Sequence, residues 1–347
     1  MRRLRTLLFP LGAALAATFT VGLAGCSGGT ATAAGAAAVV VVPAEVPPAA
    51  LSKVTLHIGD QKGGAQALLQ AAGLDKDLPY AVQWSTFTSG PPLLEAANAG
   101  AVDAGNVGNT PPLFAAAAGS KVAVVAASQQ GPAGSQLLVP SGSSITSPQQ
   151  LKGKRIAVSK GSSAHGQLLL ALGRAGLTPA DVQITYLQPA DAFTAFSTHQ
   201  VDAWAIWSPY APQARLQLGA RVLEDGSDGT ANGYGFTVAS RAALADPGRS
   251  TALKDYVVRL ATAQAWARQH QAEWAATWAS LTGLAPAVTR QAVADQDTRA
   301  VPLDDTVVRS EQTLADAFTA AGQLPAKVSV AQYVDKRYAA ALAPYTS

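Results

Sequence analysis

Beyond about residue 50 the chain alternates short apolar runs with longer stretches whose apolar positions recur at helical spacing. Runs at 53–58, 82–87, 102–107 and 122–126 read as strands, with helices at 65–72, 91–99 and 112–118 between them. The alternation resumes with strands at 155–158, 182–187 and 203–207, separated by helices near 163–175 and 190–197. Such alternation predicts an α/β fold, with parallel strands covered by helices on both faces. After Tyr234-Gly235-Phe236-Thr237-Val238 the pattern turns helical, over 252–281 and 306–321. The chain is expected to return there to the unit in which it began.

A faint repeat divides the globule. Val82-Gln83 opens a strand whose following helix ends in Val102-Asp103-Ala104 and runs to Pro111, while Val182-Gln183 opens another that leads to Val201-Asp202-Ala203 and Pro209. Two lobes are expected, the first made of 51–135 plus 233–347 and the second of 136–232. Crossings between them are placed near 134–138 and 230–235, where glycine can absorb dihedral change.

The amino terminus has a different pattern. Arg2, Arg3 and Arg5 precede an apolar stretch over 7–24 that closes on Leu23-Ala24-Gly25-Cys26, the layout of an export signal. Those last four residues resemble a bacterial lipobox, which implies that residues 1–25 are removed and that Cys26 carries a lipid. Pro10, Thr18 and Thr20 argue against a retained transmembrane helix. Residues 26–50, nearly all Gly, Ala, Thr, Val and Pro, read as a flexible tether, with Pro43, Pro47 and Pro48 keeping it extended.

Cleavage after residue 25 removes three arginines, so 25 basic side chains become 22 against 22 acidic ones and the mature chain is formally neutral. With no basic stripe interleaved with aromatics, nothing points to nucleic acid. Cys26 is the only cysteine, so no internal disulfide can form. The folded part must rest on ordinary apolar cores.

Ligands of open α/β sheets bind beyond the carboxyl ends of strands. Here those ends are small and polar. Ser89-Gly90-Pro91-Pro92, Asn109-Thr110-Pro111-Pro112 and Gly161-Ser162-Ser163 each put hydroxyl, amide or glycine residues at a helix start. Free first-turn amides and the positive dipole end suit an anion there. Simple N-capping accounts equally for any one of the three, and only their coincidence at one edge favours a small anionic ligand.

Taken together, Ile58-Gly59-Asp60-Gln61-Lys62, the segment from Gly90 to Ala96, Asn106-Val107-Gly108-Asn109-Thr110-Pro111-Pro112, Lys160-Gly161-Ser162-Ser163-Ala164-His165 and the run from Val201 to Tyr210 resemble the motif series of aliphatic-sulfonate-binding proteins of ABC importers. Ala315-Asp316-Ala317-Phe318 is also similar. The resemblance spans about residues 54–240 and implies a type II periplasmic-binding-protein fold, two α/β lobes joined by a hinge with the ligand in the cleft. It further implies a monomeric solute receptor held at the outer face of the cell membrane, with an alkanesulfonate as ligand and a permease and its ATPase as partners. Taurine, nitrate and pyrimidine-precursor binders share the architecture, and a ligand-sensing domain for a membrane partner is a further alternative. The family commonly has Trp-Asp-Pro where this chain has Trp207-Ser208-Pro209, which leaves the exact ligand open.

Binding residues are accordingly expected at Gln61, Ser89, Gly90, Asn109, Thr110, Ser162, Ser163, His165, Trp207, Ser208 and Tyr234, with no cofactor and no metal. His57, His165, His199 and His270 lack metal-ligand spacing, and neither a nucleophile elbow nor a phosphate loop is present. A related fold makes a thiamine precursor with a cysteine-rich iron site, for which this chain has no thiols. His165 either touches ligand or covers a helix, and Trp207 either walls the cleft or packs in the core. Trp266, Trp274 and Trp278, at helical spacing, are expected to pack.

Overall fold

The structure, a computed structural model, describes residues 42–346. The segment expected to be an export signal, and Cys26, lie outside the described residues. The chain enters through α1 (Pro48–Leu51) and builds β1 (Thr55–Gln61), α2 (Ala65–Ala71), β2 (Ala81–Phe87), α3 (Gly90–Asn98), β3 (Ala104–Gly108), α4 (Thr110–Ala117) and β4 (Val122–Gln129). It then crosses to β5 (Ser135–Val139), β6 (Arg155–Val158), α5 (Ser163–Arg174), β7 (Gln183–Tyr186), α6 (Pro189–Ser197), β8 (Ala203–Trp207), α7 (Tyr210–Leu218) and β9 (Arg221–Asp225). A second crossing leads to β10 (Tyr234–Ser240), α8 (Arg241–Ala245), α9 (Pro247–Gln269), α10 (Gln271–Thr282), α11 (Pro286–Gln296), β11 (Arg299–Val301), α12 (Asp305–Ala320) and α13 (Ala339–Leu342).

The strands form two sheets, ordered β11-β4-β10-β3-β1-β2 and β7-β6-β8-β5-β9. In each, three strands run parallel and the next strand, β10 or β5, is antiparallel because it arrives from the other sheet. The faint repeat has a physical counterpart. Asp103, just ahead of β3, accepts from the His57 amide of β1 at 2.9 Å, and Asp202, just ahead of β8, accepts from the Arg155 amide of β6 at 2.8 Å. Each aspartate bonds an amide of the neighbouring parallel strand, one at its third and one at its first residue, and pairs with an arginine, Arg249 in the first lobe and Arg155 in the second.

Apolar side chains cover both faces of both sheets. Leu56 and Ile58 of β1 meet Leu253 and Tyr256 of α9, while Leu93 of α3 meets Val107 and Val238. In the second lobe Val158, Leu168 and Leu172 pack on one face and Trp204, Phe196 and Ile206 on the other. Each such side chain contributes roughly 1.5–3 kcal/mol when fully buried, which is enough to hold the fold without disulfides.

Three expectations shift. Residues 45–51 are seated on the first lobe, because Glu45 pairs with Lys254, the Val46 amide donates to Thr251 Oγ1 at 3.1 Å and Leu51 is buried, so the extended stretch ends before residue 45. The segment at 252–281 is two helices, broken at His270, which lets α10 turn back onto α2 and α11. The links between the sheets are 130–134 and 226–233, and residues 135–138 already belong to β5.

Candidate functional site

The strand ends of both sheets open onto one cleft of about 480 Å³. The starts of α2, α3, α4, α5 and α7 stand at its wall. Pro91 and Pro92 open α3 behind Ser89, Pro111 and Pro112 open α4 behind Asn109, and Ser162 caps α5 by accepting from the His165 amide at 3.3 Å. Proline is at home in a first turn, where its missing donor would have found no intrahelical partner. Of the residues expected at the site, Gln61, Gly90, Asn109, Ser162, Ser163, Trp207, Ser208 and Tyr234 line the cleft together. The lobes touch closely here. A side-chain carbon on Gly108 would lie 1.7 Å from Ser163 Oγ, so only glycine lets β3 approach α5.

The turn from β1 into α2 and the turn from β6 into α5 occupy equivalent places in the two sheets, yet they carry opposite chemistry. In the first lobe Asp60, 5% exposed, accepts from the Ala65 and Gln66 amides at 2.9 Å each, so a carboxylate of the chain itself fills the helix start. A side chain at Gly64 would lie 2.2 Å from Asp60 Oδ1, which explains the glycine. Burial pushes the Asp60 carboxyl up to about 6, still ionised at neutral pH. In the second lobe the cap is the neutral hydroxyl of Ser162, Ser163 is the first residue of α5, both line the cleft, and no carboxylate among the described residues bonds the first-turn amides.

Ser89, Thr110 and His165 do not line the cleft. Ser89 and Thr88 donate to Gln188 Oε1 at 3.0 Å each and so tie the two lobes at the cleft mouth. Thr110 is fully buried and donates to Asn109 Oδ1 at 2.9 Å. His165 is 1% exposed, its Nδ1 accepts from the Gly161 amide at 3.2 Å, and its ring sits among Phe114, Tyr186 and Phe318. Burial lowers it to about 4, so it is a neutral ring packed between lobes.

Several residues at the site lay outside the expectations. Asp60 appeared in a motif but not as a site residue. Asn232, in the second crossing, accepts from Asn109 Nδ2 at 2.8 Å and donates to the buried Glu311 at 2.7 Å, a link across 123 and 79 positions that no local pattern announces. Trp274 and Trp278 are buried and stacked with centroids 5.1 Å apart, as their spacing suggested, but both also border the cleft. Leu68, Leu260 and Val293 join them in an apolar wall, and the Arg268–Asp297 pair at 3.1 Å stands nearby. Ser208, which replaces the family's usual acid, is buried with its Oγ unpartnered.

Among the described residues no cluster of His, Cys, Asp or Glu could hold a metal ion. The cleft offers amide and hydroxyl donors on one side and apolar surface on the other, without a paired nucleophile and base. That chemistry suits an anion with an organic tail.

Comparison with known proteins agrees. The family described as "NMT1/THI5 like" matches residues 88–267. The chain is 37% identical over 287 residues to the Escherichia coli (strain K12) protein named "Putative aliphatic sulfonates-binding protein", covering 82% of this chain and 89% of that protein. Among solved structures, the alkanesulfonate-binding protein SsuA from Xanthomonas axonopodis pv. citri, bound to MOPS, superposes with a TM-score of 0.74 at 38% identity, over 81% of this chain and 98% of that one. SsuA from Escherichia coli, a periplasmic aliphatic sulphonate binding protein, gives 0.71 at 36% identity, over 81% and 92%. The relatives are binding proteins with the periplasmic-binding-protein fold, and this chain belongs to the NMT1/THI5-like family, among the aliphatic-sulfonate-binding proteins.

Proposed function

We propose that this protein is the substrate-binding component of an ABC importer, that it captures alkanesulfonates, and that Cys26 carries the lipid holding it at the outer face of the cell membrane. It acts there as a monomer that hands ligand to a permease driven by its ATPase. The observation that carries the reading is the contrast between the two equivalent helix starts. The start of α2 is occupied by Asp60, so an external anion is directed to the neutral start of α5. Ser162 and Ser163 supply hydroxyls there, and Asn109 and Gly90 face them from the first lobe. A sulfonate is a permanent monoanion and needs donors but no buried countercharge.

Hydrogen bonds to a charged group contribute about 1.5–3 kcal/mol each and a helix end adds up to about 2 kcal/mol. A few such donors reach the roughly 8 kcal/mol of micromolar binding once association costs are offset. The apolar wall of Leu68, Leu260, Val293 and the two tryptophans suits an alkyl tail, and a cleft of about 480 Å³ far exceeds what a bare inorganic anion fills. Closure of the lobes about residues 130–134 and 226–233 would complete the cage, with Ser89, Thr88 and Gln188 as its outer fastening.

Isothermal calorimetry with hexanesulfonate, taurine, nitrate and sulfate tests the ligand. Hexanesulfonate is expected to bind tightest and to raise the melting temperature by mass action. Binding of nitrate or taurine without hexanesulfonate would reassign the ligand, and silence with all four would end the anion reading. For the anchor, Cys26→Ser is expected to move the protein from membranes to the soluble fraction without altering its melting. Unchanged membrane fractionation would contradict a lipid at Cys26.

A further inference from the structure

Glu311 lies on α12, 2% exposed, and its Oε2 has no hydrogen-bond partner. Around it Leu113, Phe236, Leu303, Val307 and Val330 border an apolar void of about 20 Å³. Its Oε1 accepts from Asn232 Nδ2 at 2.7 Å, and the same nitrogen donates to Ser310 Oγ at 3.1 Å. Both Asn232 donors are thus committed to α12. On its other side Asn232 Oδ1 accepts from the Tyr234 backbone amide at 3.1 Å and from Asn109 Nδ2 at 2.8 Å. The backbone amide can only donate, which fixes which way the Asn232 amide points. Asn109 is fixed in turn, since its Nδ2 must face Asn232 while its Oδ1 accepts from Thr110. The buried Glu311 carboxyl and the Tyr234 backbone amide thus hold Asn232 from its two ends, and through Asn232 they fix the orientation of a cleft amide.

We infer that Glu311 is a positioning residue for the anion site, acting through Asn232 to fix the orientation of the Asn109 side chain in the cleft wall. The inference rests on the reading of the cleft as an anion receptor. An uncharged carboxyl suits this role, because a buried charge two side chains from the bound anion would repel it. Burial raises Glu311 to about 8, and no basic side chain acts to lower it. The titratable and charged groups on the elements packed around it are the phenols of Tyr234 and Tyr333, Asp304 at the start of α12, Asp305, Arg309 and Asp316 along α12, Arg299 of β11, and Arg174 and the neutral His165 of α5. Arg299 donates to Gln129, Arg309 to Thr306 and Arg174 pairs with Asp228, so none of them is a hydrogen-bond partner of Glu311. By reciprocity, ionisation of Glu311 must weaken the anion by the same factor by which the anion suppresses that ionisation.

Sulfonates do not titrate in the accessible range, so any pH dependence of their binding belongs to the protein. Calorimetry with hexanesulfonate between about pH 6.5 and about pH 9.5 is expected to show wild-type affinity falling about five- to tenfold through about pH 8. Glu311→Gln, which keeps the acceptor and cannot ionise, is expected to lose that fall. Glu311→Leu, which leaves Asn232 without its acceptor, is expected to bind more weakly across the whole range. A wild-type affinity independent of pH, or a fall that persists in Glu311→Gln, overturns the inference while leaving the anion reading intact. Absence of binding at every pH overturns both. If Glu311→Gln fails to fold, the Glu311 carboxyl carbon is followed by NMR in the wild-type protein. Its pKa must rise when hexanesulfonate is added, and an unmoved titration overturns the inference.

Discussion

At the start of α2 the chain places a buried carboxylate against two amides, and at the equivalent start of α5 it places a serine hydroxyl. Both solutions satisfy first-turn amides, Asp60 from five residues ahead of the helix and Ser162 from the N-cap itself. For function they are opposites. The first fills a helix start with the chain's own carboxylate, and the second leaves its helix start without one. The difference teaches that capping chemistry in one sheet decides which edge of a two-lobed molecule can receive an anion. A helix start is an anion site only where the chain has not already supplied the anion.

The comparison can be broken by making the two starts alike. Ser162→Asp installs at α5 what Asp60 supplies at α2, and hexanesulfonate affinity is expected to drop at least about 100-fold, equivalent to about 2.8 kcal/mol, by like-charge opposition. Its melting temperature should stay within a few degrees of wild type, since the cap is preserved. Retained affinity in calorimetry would place the anion elsewhere. Truncating both Ser162 and Ser163 to alanine sharpens the same point with a smaller effect, about tenfold weaker binding. Unaltered affinity with lowered melting would show that these serines only cap α5.

Asp60→Asn acts from the other side. With its folded value near 6 against an ordinary 3.8, Asp60 binds its proton more tightly in the folded protein. It therefore makes wild-type stability fall as pH rises from about 4 to about 6, by up to about 1.4 kcal/mol per pH unit. Asp60→Asn should remove that slope in thermal unfolding and bind hexanesulfonate roughly two- to threefold more tightly, because one negative charge leaves the cleft. A persisting slope would mean that another group titrates there. His165 should matter least to ligand. Its folded value near 4 against 6.5 means that stability is lost as pH falls through that interval, and His165→Phe should abolish the loss while changing affinity less than about twofold. A large change in affinity would return His165 to the cleft.

Much of this contrast was written locally in the chain. Pro91-Pro92 and Pro111-Pro112 mark helix starts because proline suits only a first turn, and Ser162 before an Ala- and Leu-rich stretch marks a cap. Leu56 and Ile58 flanking the polar His57 in β1 and the apolar run in β8 made those strands legible. The Val-Asp-Ala repeat was visible, and its meaning, an aspartate bonded to the neighbouring strand's amide in each lobe, came only from register. What could not be read is long-range. β9 and β11 are short and half-buried, and pairing rather than propensity makes them strands. The break at His270 carries no proline or glycine and follows from how α10 packs. Ser89 and His165 looked like site residues because they sit at a strand end and one turn into a cleft helix. Their partners, Gln188 and the rings of Phe114 and Phe318, lie far away in sequence and draw them into interlobe contacts. The Asn109–Asn232–Glu311 chain is the extreme case, assembled from three segments with no shared pattern.

The central claim is that the anion sits at the start of α5 and not at α2. The chain's single methionine and single cysteine are Met1 and Cys26, so residues 42–346 contain no sulfur. Long-wavelength diffraction from crystals grown with hexanesulfonate would locate the ligand's sulfur against a sulfur-free globule. The account predicts one anomalous peak in the cleft within about 4 Å of Ser162 and Ser163 Oγ, in the range of a hydrogen-bonded sulfonate. A peak beside the Ala65 and Gln66 amides, with the Asp60 carboxylate displaced, would contradict it.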